Sequence, residues 1–247
     1  MDNKFRERSV KTELLLKKKL HERMPEYIFS NDLFEKMIKA SLSKECLWID
    51  AGCGNNSLVY EFEGIAPNGI GIDEVIHPEI LTSNDKFIKS SLENIPFEDN
   101  SISLVTANMV VEHIVNIDKV LSEIKRVLKP GGKFIFRTTN KNYPTLFVGN
   151  LLPKKIKDQI IYRIFGVRSH DIFETTYPIN TLRDIETKFL QHGFVINSLS
   201  ACEDLHMFNR VVFEFSFIIY KIQKKKAFKN FRNCIVCEVS KPLTANQ

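Results

Sequence analysis

Two acidic residues and two glycines form the part of this 247-residue sequence that is best suited to chemistry. Asp50 and Asp73 each end a short apolar run, and Gly52 and Gly54 follow the first of these acids. Glycines let a backbone pass close to a ligand, and the N-terminus of a following helix offers free N–H groups. An acid at the end of a second strand suits the paired hydroxyls of a ribose. The pattern therefore predicts a site for a cofactor that contains a nucleoside.

The loop after the first acid indicates which nucleoside-containing cofactor would bind. It has neither the G-x-G-x-x-G pattern of dinucleotide sites nor the G-x-x-x-x-G-K-[ST] pattern of phosphate-binding loops. Asp50 would repel a pyrophosphate group and attract an ammonium group. S-adenosylmethionine (SAM) carries such an ammonium group and no phosphate. We therefore expect SAM as the cofactor.

The segments around these acids alternate between strand and helix patterns. Strand patterns occur seven times, at 46–50, 70–73, 87–90, 102–106, 133–137, 193–201 and 234–240. Helix patterns occur at 4–24, 30–40, 117–128 and 181–192. This alternation predicts an α/β fold, a Rossmann-like seven-stranded sheet that is mostly parallel and has helices on both faces. We expect the last strand to return antiparallel beside the sixth.

The chain contains no internal repeat and no Gly/Ser/Pro-rich linker, so we expect a single domain over residues 1–247. Within it, the patterns indicate four parts: a helical arm at 1–44, a cofactor-binding core at 45–140, an acceptor-side insertion at 141–180 and a basic amphipathic insertion at 205–232.

Four motifs in a fixed order carry a resemblance to a known family. They are Asp50–Gly54 (D-x-G-x-G), Glu93–Ser101 (similar to E-x-L-P-F-x-D-x-S), Glu112–Ile114 (similar to E-H-V) and Arg126–Gly132 (R-V-L-K-P-G-G). Over residues 45–140, and more loosely to about 200, the sequence resembles the class I SAM-dependent methyltransferases, in particular their ubiquinone/menaquinone C-methyltransferase-like branch. A weaker likeness, at residues 173–181, is to methyltransferases of bacterial surface-polysaccharide assembly.

The resemblance implies a role for each cofactor-binding residue. Asp50 and the backbone of Gly52 and Gly54 would face the methionine part of SAM, and Asp73 the ribose. Ser91 and the backbone N–H of Leu92 would meet the adenine edge. Asn108 would lie under the methionine carboxylate and the sulfonium. The sequence departs from the family pattern at Asn56, which stands where a third loop glycine is usual.

His113 is the candidate for a catalytic base, because histidine is the residue type most often used for proton removal near neutral pH and this one follows the fourth strand. The alternative is that Glu112 and His113 brace the next helix. Some related enzymes hold a divalent metal with a Glu-x-x-Glu-His set, but Met109 occupies the first of those positions. A thioether does not suit magnesium, so we expect no metal.

Features that the sequence lacks exclude some classes of methyl acceptor. The segment after the fourth strand lacks the Asn/Asp-Pro-Pro-aromatic tetrad that is usual in enzymes that methylate the amino groups of bases. It also has no nearby Cys to act as the nucleophile of a cytosine C5 enzyme, so we do not expect nucleic acid as a partner. Tyr143, His170 and Tyr177 of the insertion are candidate substrate residues, and the alternative is that the aromatic residues there form the core of a helical lid. We expect a small or lipid-linked metabolite, including a saccharide hydroxyl. The alternatives are carbon methylation of a quinone-like ring and SAM binding without catalysis.

The net charge of +5 is divided unevenly along the chain. Residues 25–220 carry −5, whereas residues 1–24 carry +4 and residues 221–232 carry +6. The basic segment follows an apolar helical stripe, so 211–232 could dock on an anionic membrane, or the helix could pack on its own sheet with a solvated Lys tail. With no secretory signal and five unevenly spread Cys, we expect a cytoplasmic protein with reduced thiols, in peripheral contact with the inner membrane face under the docking hypothesis.

Overall fold

The computed structural model describes residues 3–55, 57–76, 86–144, 176–207 and 209–243. Its strands, in chain order, are β1 Trp48–Ala51, β2 Gly69–Asp73, β3 Phe87–Lys89, β4 Ile102–Asn108, β5 Leu128–Thr139, β6 Val195–Cys202 and β7 Cys234–Ser240. They form one sheet in the order β3-β2-β1-β4-β5-β7-β6. The first five of these strands run parallel, and β7 is antiparallel to both of its neighbours. The predicted fold class is confirmed.

Helices cover both faces of this sheet. They are α1 Asn3–Arg23, α2 Ser30–Lys39, α3 Leu58–Glu61, α4 Ile117–Val127, α5 Leu182–Gln191 and α6 Arg210–Gln223, with short 3₁₀ segments at Val111–His113 and Lys226–Phe231. Helices α2 and α3 pack on the face that carries Trp48, and α4 and α5 on the face that carries Ile49. No helix in the described ranges is long and apolar enough to span a bilayer.

Helix α4 forms where its apolar spacing predicts it. The Asn116 side chain accepts a hydrogen bond from the backbone N–H of Lys119 and caps the helix, which satisfies one of its free amides. The apolar residues at i, i+3, i+4 and i+7 spacing are all buried: Ile117, Val120, Leu121, Ile124 and Val127. The helix is therefore anchored on the sheet by one continuous stripe.

The strand order creates a crevice beside β1. The chain moves outward from β1 to β2 and β3 on one side, and from β4 to β5 on the other. The loops that leave the carboxyl ends of β1 and β4 therefore diverge, and ligands of open parallel sheets bind in such a gap. This position brings the loop after Asp50 next to the segment after Asn108.

The last strand lies inside the sheet. β7 pairs antiparallel with β6, as predicted, and also pairs antiparallel with β5. Cys234 and Cys237 on this strand belong to hydrophobic clusters on opposite faces. All five cysteines are free and buried, and burial raises the pKa of the Cys202 thiol to about 11. These thiols are packing residues of the core.

One strand begins earlier than predicted. The sequence places the fifth strand at 133–137, whereas β5 begins at Leu128, which pairs with Ile102. The residues between Leu128 and Lys133 form a bulge against β4. In this bulge the backbone N–H of Gly131 donates to the oxygen of Lys241, and the N–H of Lys241 donates to the oxygen of Gly132, both at 2.9 Å. The Pro-Gly-Gly segment ends helix α4, as expected, but its backbone still joins the sheet because the chain that follows β7 pairs with it.

Helix α1 and the segment after it dock on the protein through apolar and polar contacts. Leu16 and Leu20 pack against Phe213 and Phe217 of α6. The hydroxyl of Tyr27 donates to the backbone oxygen of Glu203 and accepts from the backbone N–H of Leu205, at 3.1 Å. The helical arm therefore continues the core formed by α6.

Gly69 marks a close approach in this core. A Cβ added there would lie 2.6 Å from the indole of Trp48, which is fully buried between β1, α2 and α3. Overpacking of this kind costs about 1–3 kcal/mol. We expect Gly69→Ala to lower the free energy of unfolding by that amount in urea titrations. Gly64→Ala is the control, because no atom lies within 4 Å of its added Cβ; equal effects of both changes would show that the Trp48 contact is not limiting.

Candidate functional site

The loop after β1 is held in a conformation that glycine adopts readily. Gly52 and Gly54 have φ angles of +70° and +53°. A Cβ on Gly52 would lie 2.5 Å from the side chain of Val110, so the loop and the segment after β4 are in close contact. The backbone N–H of Gly52 donates to the oxygen of Ile72 at 2.8 Å and ties the loop to β2. At Gly52 both the positive φ and the contact with Val110 therefore require glycine, whereas at Gly54 only the positive φ favours it.

Asp50 lies beneath this loop. Its carboxylate accepts hydrogen bonds from the hydroxyl of Ser57 at 2.8 Å, from the backbone N–H of Leu58 at 3.0 Å and from the hydroxyl of Thr106 at 3.0 Å. The side chain is only 3% exposed. Burial raises its pKa to about 6, although the three hydrogen bonds oppose that rise. The sequence predicts contact with SAM, whereas the geometry gives Asp50 the position of a support for the loop and for the start of α3.

Asp73 at the end of β2 faces the loop from the other side. One carboxylate oxygen accepts from the backbone N–H of Gly54 and the other from that of Val75, both at 2.8 Å. Each oxygen keeps a second lone pair for a ligand. Unlike Asp50, this carboxylate borders a cavity.

The cavity has a volume of about 460 Å³, within the range of small-molecule sites. The residues that line it come from the ends of β1, β2 and β4, from the loop after β3 and from helix α4: Gly52, Gly54, Asp73, Glu74, Val75, Ser91, Leu92, Glu93, Met109, Val110, His113, Ile114, Val115 and Val120. Six predicted site residues are therefore brought together, namely Gly52, Gly54, Asp73, Ser91, Leu92 and His113. No Lys or Arg is among these lining residues, and three of them are acids.

The loop that carries Ser91 is braced from below by Arg126. The guanidinium of Arg126 donates to the backbone oxygens of Ile95 and Phe97, at 2.9 and 2.8 Å, and pairs with Glu123 and Asp99. These contacts join two of the sequence motifs, because Arg126 opens the R-V-L-K-P-G-G motif, and its partners Ile95, Phe97 and Asp99 belong to the Glu93–Ser101 motif. The sequence did not indicate this support.

Asn108 lies at the edge of the site and is not among the cavity-lining residues. Its side-chain oxygen accepts from Nε of Arg137 at 2.8 Å, and Arg137 also donates to the hydroxyl of Ser30 at 3.0 Å. The next residue, Met109, has a φ of +59°, an uncommon conformation for a residue with a side chain. The chain therefore turns sharply after β4 and brings Val110 against Gly52.

Glu112 and His113 have separate positions. His113 borders the cavity. Glu112 is buried, and its carboxylate accepts from the hydroxyl of Thr138 at 2.7 Å. Its backbone oxygen accepts from the N–H groups of Thr176 and Tyr177, at 2.8 and 3.1 Å. Glu112 therefore braces the segment that precedes α5, whereas the predicted brace was to the next helix.

Tyr143 and Tyr177, the two candidate substrate residues within the described ranges, are not among the residues that line the cavity. Tyr143 is buried, and its interaction with the carboxylate of Glu203 opposes the rise in the pKa of that group. Tyr177 is half-buried and has a φ of +50°. His170 and Asn56 lie outside the described residues. The described residues also contain no cluster of three or more His, Cys, Asp or Glu side chains that could hold a metal ion.

Residues 49–136 match a family of methyltransferase domains. Sterol 4-C-methyltransferase strm-1 of Caenorhabditis elegans is 34% identical over 107 residues, which are 39% of this chain and 32% of that protein. The ubiquinone/menaquinone biosynthesis C-methyltransferase UbiE of Brucella canis is 40% identical over 67 residues, 27% of this chain and 24% of the relative. The chain thus spans a third or less of these relatives.

The fold is similar to that of solved methyltransferases. The crystal structure of geranyl diphosphate C-methyltransferase from Streptomyces coelicolor A3(2), in complex with Mg²⁺, geranyl diphosphate and S-adenosyl-L-homocysteine, superposes with a TM-score of 0.56. The match covers 85% of this chain and 78% of that chain, at 14% sequence identity.

The two acids should respond differently to removal. Asp73→Ala leaves its two amide donors open to water, so we expect a stable protein whose affinity for SAM falls about 10- to 100-fold, as for lost hydrogen bonds to a charged group. Asp50→Ala removes the acceptor of the Ser57 hydroxyl and of the Leu58 amide, whereas the Thr106 hydroxyl keeps a contact of 3.3 Å with the Ile49 oxygen. The free energy of unfolding should therefore fall by about 1–3 kcal/mol for each donor left unsatisfied. Calorimetric titration and urea unfolding measure the two effects.

Glu45→Ala is the control for removal of an exposed acid near β1 and should change neither quantity. Full SAM affinity in Asp73→Ala would remove Asp73 from the site.

The buried Glu203 should make stability depend on pH. Burial raises its pKa from the ordinary 4.5 to about 7, so the folded protein holds this proton more tightly than the unfolded chain. Its contribution to stability is complete below the ordinary pKa and is lost as the pH rises through 7. We expect Glu203→Gln to match the wild type at pH 4 and to exceed it by up to about 3 kcal/mol at pH 8, in urea titrations.

Glu186→Gln, an exposed change on α5, should shift stability equally at both pH values. A difference between Glu203→Gln and the wild type that is independent of pH would show that Glu203 titrates normally.

Proposed function

Because the chain carries a class I SAM-dependent methyltransferase domain over residues 49–136, we propose that the protein transfers the methyl group of SAM to a small or lipid-linked acceptor. The cavity at the carboxyl ends of β1, β2 and β4 is the observation that carries this proposal. It combines the glycine loop with the Asp73 carboxylate, and its lining holds acids and no Lys or Arg. Such a lining suits a cationic cofactor and disfavours a phosphate-bearing one.

The described residues fit the parts of this cofactor. Asp73 has free lone pairs directed at the cavity for the ribose hydroxyls, and the backbone of Gly52 and Gly54 leaves room for the methionine part. Ser91 and Leu92 would border the adenine. Asp50 acts on the cofactor through the loop that it supports, and Asn108, oriented by Arg137, would meet the methionine end.

Methyl transfer requires that the acceptor is held in position and that it loses one proton. When bound, SAM supplies an electrophilic methyl group on its sulfonium. The protein has to hold the acceptor in line with that methyl group and exclude water, and the apolar side chains of Val110, Ile114 and Val115 border the space where this would occur. His113, on the same wall, would accept the proton that the acceptor loses.

The methylated atom has two candidates. A saccharide hydroxyl follows from the weak likeness at residues 173–181, of which 173–175 lie outside the described residues. A carbon atom, as in a quinone-like ring, is supported by three similar proteins whose names describe C-methyltransferases. Binding of SAM without catalysis is the remaining alternative.

The proposed location is the cytoplasm, with peripheral contact at the inner membrane face through residues 211–232. A lipid-linked acceptor would require such contact, because its reactive group stays close to the bilayer. The amphipathic character of this segment supports the proposal.

Incubation of the full chain with a host extract and SAM labelled in the methyl group would identify the acceptor. We expect label in the lipid or small-molecule fraction, and none in nucleic acid. His113→Ala should lower turnover by about 100- to 10,000-fold with unchanged SAM affinity, as for loss of a general base. Wild-type turnover in His113→Ala would assign His113 a bracing role, and absence of any labelled product would favour binding without catalysis.

Chemical cleavage of the labelled product separates the two acceptor atoms. Hot hydriodic acid releases an ether methyl group as methyl iodide, whereas a methyl group on carbon stays in the product. Retained label would establish carbon methylation, and released label would establish transfer to a hydroxyl.

A further inference from the structure

Helix α6 has two apolar faces, and among the described residues only one of them packs against the rest of the protein. Phe213 and Phe217 face α1 and are buried with Leu16 and Leu20. Ser216 and Gln223 lie on the same side and are also buried. This inward face alone is sufficient to dock the helix on the domain.

The second face points to solvent. Val211, Phe215, Ile218 and Ile222 are 79%, 66%, 57% and 50% exposed. Their spacing of four, three and four residues places them in one narrow stripe along the helix. The apolar stripe that the sequence predicts has six residues, namely these four with Val212 and Ile219. We call the side of the helix that carries the four exposed residues the outward face. Phe228 and Phe231, in the 3₁₀ segment that follows, are 44% and 42% exposed.

The charges around the outward face are mostly positive, and Lys224 is paired with Glu26 at 3.0 Å. Residues 209–233 contain seven Lys or Arg and a single acid, Glu214. That acid is paired with Lys19 and with Arg23, the latter at 2.7 Å, and these partners lower its pKa to about 2. Lys225 and Lys229 are exposed beside the apolar residues. The surface therefore combines exposed apolar side chains with positive charge.

We propose that the outward face docks on the surface of an anionic membrane, with its apolar side chains among the acyl chains and its lysines at the headgroups. A bilayer with anionic lipids satisfies both properties at once. A second copy of the chain would bring two positive surfaces together, which is unfavourable.

The docking surface and the candidate site lie at the same end of the sheet. β6 runs parallel to β5, because both strands are antiparallel to β7. Helix α6 follows the carboxyl end of β6, and the Lys226–Phe231 segment precedes β7, so both lie at the end of the sheet where β1 and β4 also end. The docked surface thus serves the lipid-linked acceptor of the proposed function, and to that extent it rests on that function.

Vesicle flotation with the full chain tests the docking. The probes are vesicles of phosphatidylcholine alone and of phosphatidylcholine with phosphatidylglycerol. We expect recovery with the anionic vesicles only, and less recovery at high salt because counterions screen the lysines. Equal recovery with both vesicle types, or none with either, would overturn the proposal.

Paired substitutions locate the contact. Phe215→Ser with Ile218→Ser should weaken vesicle binding at least tenfold, since both side chains leave the bilayer. The control is Leu190→Ser with Val195→Ser, which removes two apolar residues of similar exposure from α5 and β6. Equal loss in both pairs would show that the outward face is not the contact.

A second pair tests the charge. Lys225→Gln with Lys229→Gln should weaken binding about fivefold for each lysine, whereas the exposed pair Lys36→Gln with Lys44→Gln should have little effect. Identical losses would indicate a response to net charge alone and would contradict docking through this face.

Two further readouts separate the possible failures. SAM affinity and thermal unfolding should be unchanged in all four paired variants. A wild-type chain that binds SAM but not vesicles would contradict the docking and leave the proposed function intact. A wild-type chain that binds vesicles but not SAM would contradict the proposed function and leave the docking intact. A dimer in solution that Phe215→Ser with Ile218→Ser abolishes, without vesicle binding by the wild type, would assign the face to a second copy.

Discussion

The carboxylate of Asp50 ties together three elements that the rest of the site depends on. It holds the end of β1, the hydroxyl of Thr106 on β4 and the first amide of α3 in one buried hydrogen-bond set. The glycine loop runs between these fixed points, so its course is set before any ligand arrives. Burial of such a group is unfavourable unless it is fully hydrogen-bonded, and here both oxygens have donors. The loop in turn presents the amide of Gly54 to Asp73, which is left to face the cavity.

The remaining motifs act mostly as supports around this arrangement. Arg126 fixes the loop after β3 by binding its backbone oxygens, and Glu112 anchors the segment before α5. Neither side chain needs to touch a ligand to matter for the shape of the cavity. His113 and the residues around it, by contrast, border the space where an acceptor would react. The chain thus separates residues that shape the site from residues that would do chemistry in it.

Much of this was predictable from the sequence, because strand ends and helix stripes are local patterns. The seven strands along the chain, the antiparallel pairing of β7 with β6, the stripe of α4 and six cavity-lining residues follow from such patterns. The burial of Asp50, the position of Tyr143 against Glu203 and the inner and outer faces of α6 do not, because each depends on which distant residue packs there. Ser57 was the exception that local sequence could have indicated, since a Ser before an apolar segment is a common helix cap.

A crystal structure with S-adenosyl-L-homocysteine would show directly whether the cavity beside the glycine loop binds the cofactor. We expect both ribose hydroxyls within hydrogen-bond distance, about 2.6–3.2 Å, of the Asp73 carboxylate. We also expect the amino-acid part above the glycine loop and Asp50 still bonded to Ser57 and Thr106 beneath it. A ligand that binds outside this cavity, or whose ribose contacts no carboxylate, would contradict this prediction.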